Sequence, residues 1–216
     1  MTKIKWSEWR KQNYNFFNSK LSGFYEIGKE LSLLDVGSGP EQFKEITNKF
    51  NVTTFDFKDF VGTDIVADLV QPWPIKDKTY DILFASNVME HISDPLFILT
   101  ESFRVLKKKG FIIGTAPFYR PIHQAPNDYL RYTHYMLQIL LERAGFTRVE
   151  ISPIAAPFEV LRVVLNEMYT RTPTSFVGRL SKRIIYNALR FAGGSLRRIP
   201  PTLDLCEGYG FVAYKD

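Results

Sequence analysis

Short apolar runs alternate with longer amphipathic segments along most of the chain. Seven runs are rich in Val, Ile, Leu, Phe or Tyr and are bounded by Gly, Pro, Asp or Asn, which predicts buried strands. They occupy residues 31–37, 51–57, 64–69, 80–86, 111–118, 146–154 and 208–216. The chain therefore contains enough predicted strands for one large sheet.

The segments between these runs have the apolar spacing of helices. The clearest follows Asp94 and Pro95, carries apolar residues at positions 96, 99, 103 and 106, and ends with three lysines and Gly110. Spacings of three and four place these side chains on one helical face. Further helices are predicted at residues 7–19 with Ser7 as the N-cap, toward Gly28, and at residues 41–50, 133–145, 158–169 and 175–192.

Strands that alternate with helices at this spacing predict an α/β fold with a doubly wound, mostly parallel, seven-stranded sheet. One connection is exceptional, because roughly fifty residues separate the last two strands where a hairpin needs only about two to five. We expect a single domain over residues 1–216, with an N-terminal helical lid at 1–30 and a helical insertion (cap) at 157–201.

The net charge of +5 is concentrated in this insertion. Residues 157–201 carry eight Lys or Arg and two Glu, a net charge of +6, so the remainder sums to −1. A cap over a substrate pocket is the simplest interpretation, and weak peripheral adsorption to an anionic membrane is the second. Nucleic acid is not expected as a partner, since no recognition module is present. The oligomeric state is not predicted.

The remaining composition favours a cytoplasmic protein. Cys206 is the single cysteine, so no internal disulfide can form, which suits a reducing compartment. The first seventeen residues lack the apolar run of a signal peptide, and no window of eighteen apolar residues predicts a membrane span.

The stretch LLDVGSGPEQF, at residues 33–43, predicts a ligand-binding glycine loop. Gly37 and Gly39 fit the dinucleotide pattern, but Gln42 occupies its third glycine position. No G-K-[ST] follows, which excludes a P-loop. Asp35 would repel a phosphate at the strand end and would favour a ligand that carries an ammonium group.

Five ordered motifs then indicate a family. LLDVGSGP, Asp56 after the next strand, ADL at Asp68, YDILFASNVMEHISDP and RVLKKKGFIIGTAP resemble the class I S-adenosylmethionine-dependent methyltransferases of the "type 11" branch. The resemblance covers residues 31–154 and implies a Rossmann-like methyltransferase fold. It also implies S-adenosyl-L-methionine as cofactor and S-adenosyl-L-homocysteine as product. The usual third glycine of the family falls at Glu41.

The resemblance implies a role for each cofactor residue. Gly37 and Gly39 would let the backbone approach the cofactor, and Asp56 would accept hydrogen bonds from both ribose hydroxyls. Asp68 and the Leu69 N–H would bind the adenine. The expected site comprises Asp35, Gly37, Gly39, Asp56, Phe57 packing on the adenine, Asp68, Leu69, and Ser86 and Asn87 beside the sulfonium.

The expected catalytic residues lie mostly after the fifth strand. Residues 123–134 resemble the HDYWRFT-like element of type 11 methyltransferases from polysaccharide biosynthesis gene neighbourhoods, matching Asp128, Tyr129, Arg131, Tyr132 and Thr133. His123 is the expected base and Arg131 the expected acceptor clamp. Alternatively, Asp128 and Arg131 pair and cap the following helix. His91 is expected to act at the site or to orient a loop as an interior histidine. No metal is expected.

These features predict a methyltransferase for a small acceptor, with a hydroxyl of a sugar, glycan or glycolipid intermediate as the leading choice. The numerous aromatic residues leave a second choice open, an aromatic or quinone-like acceptor. A third hypothesis is a non-catalytic scaffold that keeps the fold and has lost cofactor binding.

Overall fold

Seven strands form one sheet in the computed structural model, which describes residues 6–40, 42–60, 62–171, 180–181, 183–185, 187–188 and 198–216. The strands are β1 (Ser32–Val36), β2 (Asn51–Asp56), β3 (Ile65–Val66), β4 (Tyr80–Ser86), β5 (Leu106–Pro117), β6 (Arg148–Ile154) and β7 (Gly208–Tyr214). Their order across the sheet is β3-β2-β1-β4-β5-β7-β6. The strands from β3 to β5 are parallel, and β7 runs antiparallel to both of its neighbours. The predicted α/β, doubly wound, seven-stranded sheet is confirmed.

Helices cover both faces of this sheet. They are α1 (Glu8–Leu21), α2 (Lys44–Thr47), α3 (Pro95–Val105), α4 (His134–Arg143) and α5 (Pro157–Arg171). The N-cap predicted at Ser7 is confirmed, because its hydroxyl accepts the Arg10 N–H at 3.2 Å. Thr133 caps α4 in the same way, by accepting the Met136 N–H at 3.3 Å.

The helix predicted over residues 41–50 is wrong in its extent. Only Lys44–Thr47 is α-helical. After Asn48 the backbone bonds span three residues, since the Lys49 N–H donates to Ile46 and the Phe50 N–H to Thr47, which tightens the last turn and ends the helix. The apolar spacing is nevertheless kept: Ile46 and Phe50 are buried.

The lysine run at residues 107–109 belongs to a strand and does not end α3. Leu106 has extended backbone angles and pairs with Tyr80 at the start of β5. The Lys215 ammonium, from beyond β7, donates to the carbonyl oxygens of Phe103 and Leu106 and so caps α3 from a distant part of the chain. The helix expected toward Gly28 is replaced by two 3₁₀ turns at Ser22–Phe24 and Gly28–Glu30.

The helix predicted over residues 175–192 lies mostly outside the described residues, and so does a large part of the basic insertion. Its described beginning is α5, on which Phe158 is buried. None of the helices in the described part of the chain has both the length and the apolar character of a membrane span.

The packing of α1 on the sheet matters for the site. Phe17 and Leu21 of α1 are fully buried beside Phe84 of β4 and Val212 of β7. Two glycines of β7 make room for the helix. A Cβ at Gly208 would lie 2.5 Å from Trp9, and one at Gly210 would lie 2.6 Å from the ring of Phe16. Helix α1 therefore packs directly against β7.

Candidate functional site

A cavity of about 1000 Å³ lies at the carboxyl ends of β1, β2 and β4. Successive strands are added on one side of β1 up to β3, and on the other side from β4 onward, so the strand order reverses between β1 and β4. Ligands of doubly wound sheets bind at such a point. Its walls include α1, the 3₁₀ turn Met89–His91 and the segment at residues 117–129.

The glycine loop after β1 forms the floor of the cavity. Gly37 has φ +65°, and a Cβ there would lie 2.5 Å from a methyl carbon of Val88, so both conformation and space require glycine. Gly39 has φ +52° and open space at its Cβ position. Its N–H donates to Asp56 Oδ2 at 2.8 Å. Asp56 thus holds the loop while it lines the cavity.

All nine residues predicted to bind the cofactor line this cavity. Asp35 and Asp56 are buried, whereas Asp68 is exposed and accepts the Val70 N–H at 3.0 Å. Phe57 presents its ring to solvent, being 67% exposed. The other five are Gly37, Gly39, Leu69, Ser86 and Asn87. The structure brings the set together, and the individual roles stay predictions.

Helix α1 contributes polar residues to the cavity that were not predicted from the sequence. Arg10 and Asn13 line it. The Arg10 guanidinium donates to Gln42 Oε1 at 2.8 Å, which ties α1 to the residue at the third glycine position. The buried Asn13 Oδ1 has no hydrogen-bond partner within the described part of the chain. The available signal was their spacing of three, which places both on one face of an aromatic-rich helix.

Glu90 was missed as well, although it precedes His91 in the quoted motif. Its side chain is 0% exposed, and its Oε1 lies 3.9 Å from Nε2 of both His91 and His123. The two imidazole rings are 5.1 Å apart and nearly perpendicular. Burial raises the pKa of the Glu90 carboxyl from 4.5 to about 8, against the opposing charge of Arg131. These three residues, Glu90, His91 and His123, are called the Glu-His-His cluster below.

Backbone contacts join the two segments that carry the cluster. The N–H groups of Tyr129 and Leu130 both donate to the Glu90 carbonyl oxygen, at 2.8 and 3.2 Å. The Tyr132 hydroxyl donates to the Met89 carbonyl oxygen at 2.8 Å. His91 Nδ1 lies 2.5 Å from the Asn127 carbonyl oxygen. The cluster is therefore fixed by the fold on both sides.

Asp128 and Arg131 lie behind the cluster, and neither lines the cavity. The Arg131 guanidinium donates to both carboxylate oxygens of Asp128, at 2.6 and 2.7 Å, and this charge holds the Asp128 pKa far below its usual range. Asp128 also accepts the His123 N–H at 2.7 Å. Burial lowers the His123 pKa below 6.5, against the opposing charge of Asp128. The pair thus supports His123, and Thr133 rather than the pair caps α4.

Comparison with known proteins bears on this site. Residues 34–114 match the family model described as "Methyltransferase domain". A relative from Methanocaldococcus jannaschii, named only as an uncharacterized protein, is 34% identical over 96 residues. That alignment spans 41% of this chain and 42% of the relative, so less than half of either is compared.

Solved structures share the fold at low sequence identity. A SAM-dependent methyltransferase from Archaeoglobus fulgidus has a TM-score of 0.57 at 18% identity, covering 94% of both chains. Phosphoethanolamine N-methyltransferase 2 from Haemonchus contortus, in complex with S-adenosyl-L-methionine, has a TM-score of 0.57 at 16% identity, covering 93% of this chain and 52% of that one. The [4+2]-cyclase SpnF has a TM-score of 0.55 at 16% identity, over 91% and 80%.

Residues 34–114 thus match a methyltransferase domain, and the similar structures share the fold of this chain. The presence of a cyclase among the similar structures shows that this fold also serves other reactions. The acceptor must therefore be argued from the cavity of this chain.

Proposed function

We propose that this chain, with its methyltransferase-domain match over residues 34–114, transfers the methyl group of S-adenosylmethionine to a small acceptor. The proposed methylated atom is a hydroxyl oxygen of a sugar, glycan or glycolipid intermediate, in cytoplasmic polysaccharide biosynthesis. One observation carries this proposal: carboxylates suited to the cofactor and the Glu-His-His cluster line the same cavity. The resemblance of residues 123–134 to the element from polysaccharide biosynthesis neighbourhoods supports the choice of acceptor.

The cavity offers a partner for each polar part of the cofactor. Asp56 would accept from the ribose hydroxyls while its Oδ2 keeps the Gly39 N–H. Asp35 and the unpaired Asn13 Oδ1 would accept from the methionyl ammonium group. Arg10 would bind the methionyl carboxylate, because its guanidinium already faces the cavity wall beside Gln42.

The reaction needs the acceptor oxygen in line with the sulfonium methyl group. The new C–O bond forms as the C–S bond breaks, sulfur keeps the electron pair, and the hydroxyl proton leaves to a base. Positioning alone can contribute roughly 7–11 kcal/mol to such a step. His123 is the proposed base in the simplest mechanism, because its lowered pKa keeps the imidazole neutral near pH 7. Asp128 would stabilise the imidazolium, and Arg131 would position Asp128.

Calorimetry with S-adenosylhomocysteine tests the cofactor site. Hydrogen bonds to a charged group are worth about 1.5–3 kcal/mol each. Loss of two in Asp56→Ala should therefore weaken binding by about 100-fold or more. Asp59→Ala is the matched control, since Asp59 is an exposed carboxylate on the same loop that does not line the cavity. Equal affinities for Asp56→Ala and wild type would disprove the site.

Methyl transfer to sugar nucleotides and lipid-linked glycans, followed by mass spectrometry, tests the acceptor. A His123→Ala variant should lose turnover and keep cofactor binding, whereas full turnover would eliminate His123 as the base. An aromatic or quinone-like acceptor is the second candidate, favoured by Phe60 and Tyr129 on the cavity wall. A non-catalytic scaffold predicts no binding of S-adenosylhomocysteine at all.

The basic insertion is proposed to cap the acceptor end of the cavity and to make weak contact with anionic lipid. Its described part supports this in one respect. Leu161, Val164 and Met168 on α5 are exposed apolar side chains beside a strongly basic segment. Sedimentation with phosphatidylglycerol vesicles should recover more protein than sedimentation with phosphatidylcholine vesicles, and equal recovery would contradict the lipid contact.

A further inference from the structure

We propose that the Glu-His-His cluster binds a divalent transition-metal ion and leaves a coordination position open toward the cavity. Two imidazoles and one carboxylate form a donor set suited to Zn²⁺, Fe²⁺ or Mn²⁺. This inference replaces the expectation from sequence that no metal is used. It rests on three observations: the convergence of the donor atoms, the unsatisfied carboxylate, and the orientation of both histidines.

The donor atoms already converge on one point. One atom each from Glu90, His91 and His123 lies within 4.8 Å of the others. Glu90 Oε1 is 3.9 Å from both Nε2 atoms. With metal–ligand bonds of about 2.0–2.2 Å, a tetrahedral ion separates its donor atoms by about 3.4 Å. A shortening of about half an ångström in the two Glu90–histidine pairs, and of at most about 1.4 Å between the two histidine nitrogens, would therefore complete the site.

The Glu90 carboxylate lacks the partners that a buried carboxylate requires. The side chain is 0% exposed, and neither oxygen accepts a hydrogen bond from any other residue in the described part of the chain. Burying such a group without a partner costs several kcal/mol, so carboxylates in protein interiors are paired or bind metals. The carboxylate points toward the two imidazoles and lines the cavity. A cation between these three groups would satisfy it.

Both histidines are held with Nε2 available as a ligand. His91 Nδ1 lies 2.5 Å from the Asn127 carbonyl oxygen, which can only accept, so Nδ1 carries the hydrogen and Nε2 the lone pair. His123 Nδ1 faces the Asp128 carboxylate at 3.3 Å and the Pro121 carbonyl oxygen at 3.4 Å. Arg131 also lies 3.5 Å from this Nδ1, but the same guanidinium nitrogen donates to Asp128 and Pro121 at shorter distances.

Such an arrangement of acceptors behind histidine ligands is typical of metal centres. A metal-binding imidazole usually donates its other N–H to a carboxylate or a backbone carbonyl, which fixes the ring and raises its basicity. Here the Pro121 carbonyl, with the Asp128 carboxylate beside it, has that relation to His123, and the Asn127 carbonyl has it to His91. The Asp128–Arg131 pair does not line the cavity, and holding His123 in position as a metal ligand would give it a role.

The role of the ion rests on the proposed function. An acceptor hydroxyl bound at the open position would lose its proton to water more readily, because the ion stabilises the alkoxide. The oxygen would then attack the sulfonium methyl carbon as the C–S bond breaks and sulfur keeps the electron pair. In this form of the reaction His123 is a ligand and no longer the base.

Metal binding is tested on the full-length, tag-free protein after dialysis against a chelator. Calorimetric titration with Zn²⁺ should give one site per chain, and Co²⁺ should give the visible absorption of a low-symmetry nitrogen–oxygen site. Glu90→Gln and His123→Ala should each bind Zn²⁺ at least about tenfold more weakly. His134→Ala is the matched control, because His134 is the remaining histidine of the chain and packs on Tyr135, outside the cluster. It should bind like wild type.

Two outcomes would overturn the proposal. One is wild-type protein that binds no Zn²⁺ at millimolar concentration, which would favour a proton shared between Glu90 and an imidazole. The other is an equal loss of Zn²⁺ affinity in His134→Ala and in the cluster variants, which would indicate that Zn²⁺ binds at the protein surface. Circular dichroism and S-adenosylhomocysteine binding of each variant check the fold. Zn²⁺ binding without S-adenosylhomocysteine binding would reject the proposed function and keep the metal site. S-adenosylhomocysteine binding without Zn²⁺ binding would reject the metal site and keep the proposed function.

Discussion

The close packing of α1 against β7 can be tested by adding one methyl group at Gly210. In Gly210→Ala the new Cβ would lie 2.6 Å from three atoms of the Phe16 ring, closer than real Cβ contacts come. The backbone at Gly210 lies in a regular antiparallel strand, which alanine can adopt without strain. The substitution therefore forces the Phe16 ring to move away from β7.

The expected loss of stability follows from two opposing contributions. Overpacking a well-packed site costs typically about 1–3 kcal/mol. Replacing glycine by alanine in a compatible conformation returns about 0.4–1 kcal/mol by restricting the unfolded chain. The net loss should be about 1–2 kcal/mol, or a Tm lower by roughly 2–8 °C for a domain of this size.

Urea unfolding of a double-mutant cycle provides the assay. In a Phe16→Leu background the smaller side chain leaves room for the new methyl group, so Gly210→Ala should cost about 1 kcal/mol less than in wild type. Gly23→Ala is the control, since nothing lies within 4 Å of its Cβ position, and it should be neutral or slightly stabilising. The reasoning is refuted if Gly210→Ala costs the same in both backgrounds.

Two further predictions concern titrating groups. Burial opposes ionisation of Asp81, but hydrogen bonds from Lys107 and Ser32 outweigh it and lower the Asp81 pKa below 3.8. Asp81→Asn should therefore cost about 1–2 kcal/mol by urea unfolding above pH 4. The difference should shrink as the pH falls below 3.8 through the folded-state pKa, and a difference independent of pH would contradict it. Burial raises the Cys206 pKa to about 11, so about one thiol in a thousand is ionised at pH 8. Ellman's reagent should therefore label Cys206 far faster in guanidinium than in buffer. Equal labelling rates would contradict the buried state.

The sequence was sufficient for the features that local pattern determines. Each of the seven apolar runs contains a strand, because short apolar runs between glycines and turn residues are typical of the buried strands of a parallel sheet. The resemblance to a known family supplied the cofactor residues, and the sheet explains why they meet. Asp35, Asp56 and Ser86 each lie at the end of a parallel strand, and the topology brings the carboxyl ends of such strands to one edge.

Features that depend on distant parts of the chain were not predictable. The lysine run at 107–109 looked like a helix end, and its placement in β5 depends on Lys215, more than one hundred residues away. The state of Glu90 depends on the meeting of the Met89–His91 turn with the segment around Tyr129, which no local pattern encodes. The boundaries of the N-terminal lid and of the basic insertion stay predictions.

The position of β7 constrains the order in which the sheet can assemble. During synthesis α1 emerges first, but the strand that carries its seat at Gly208 and Gly210 emerges after every other strand. That strand must then enter between β5 and β6, whose facing edges remain unpaired until it arrives. A nascent chain on the ribosome therefore has a split sheet, two open edges and an undocked helix. We expect chaperones that shield strand edges to act on it at this stage, and cofactor to bind only once β7 has paired with β5 and α1 has docked on it.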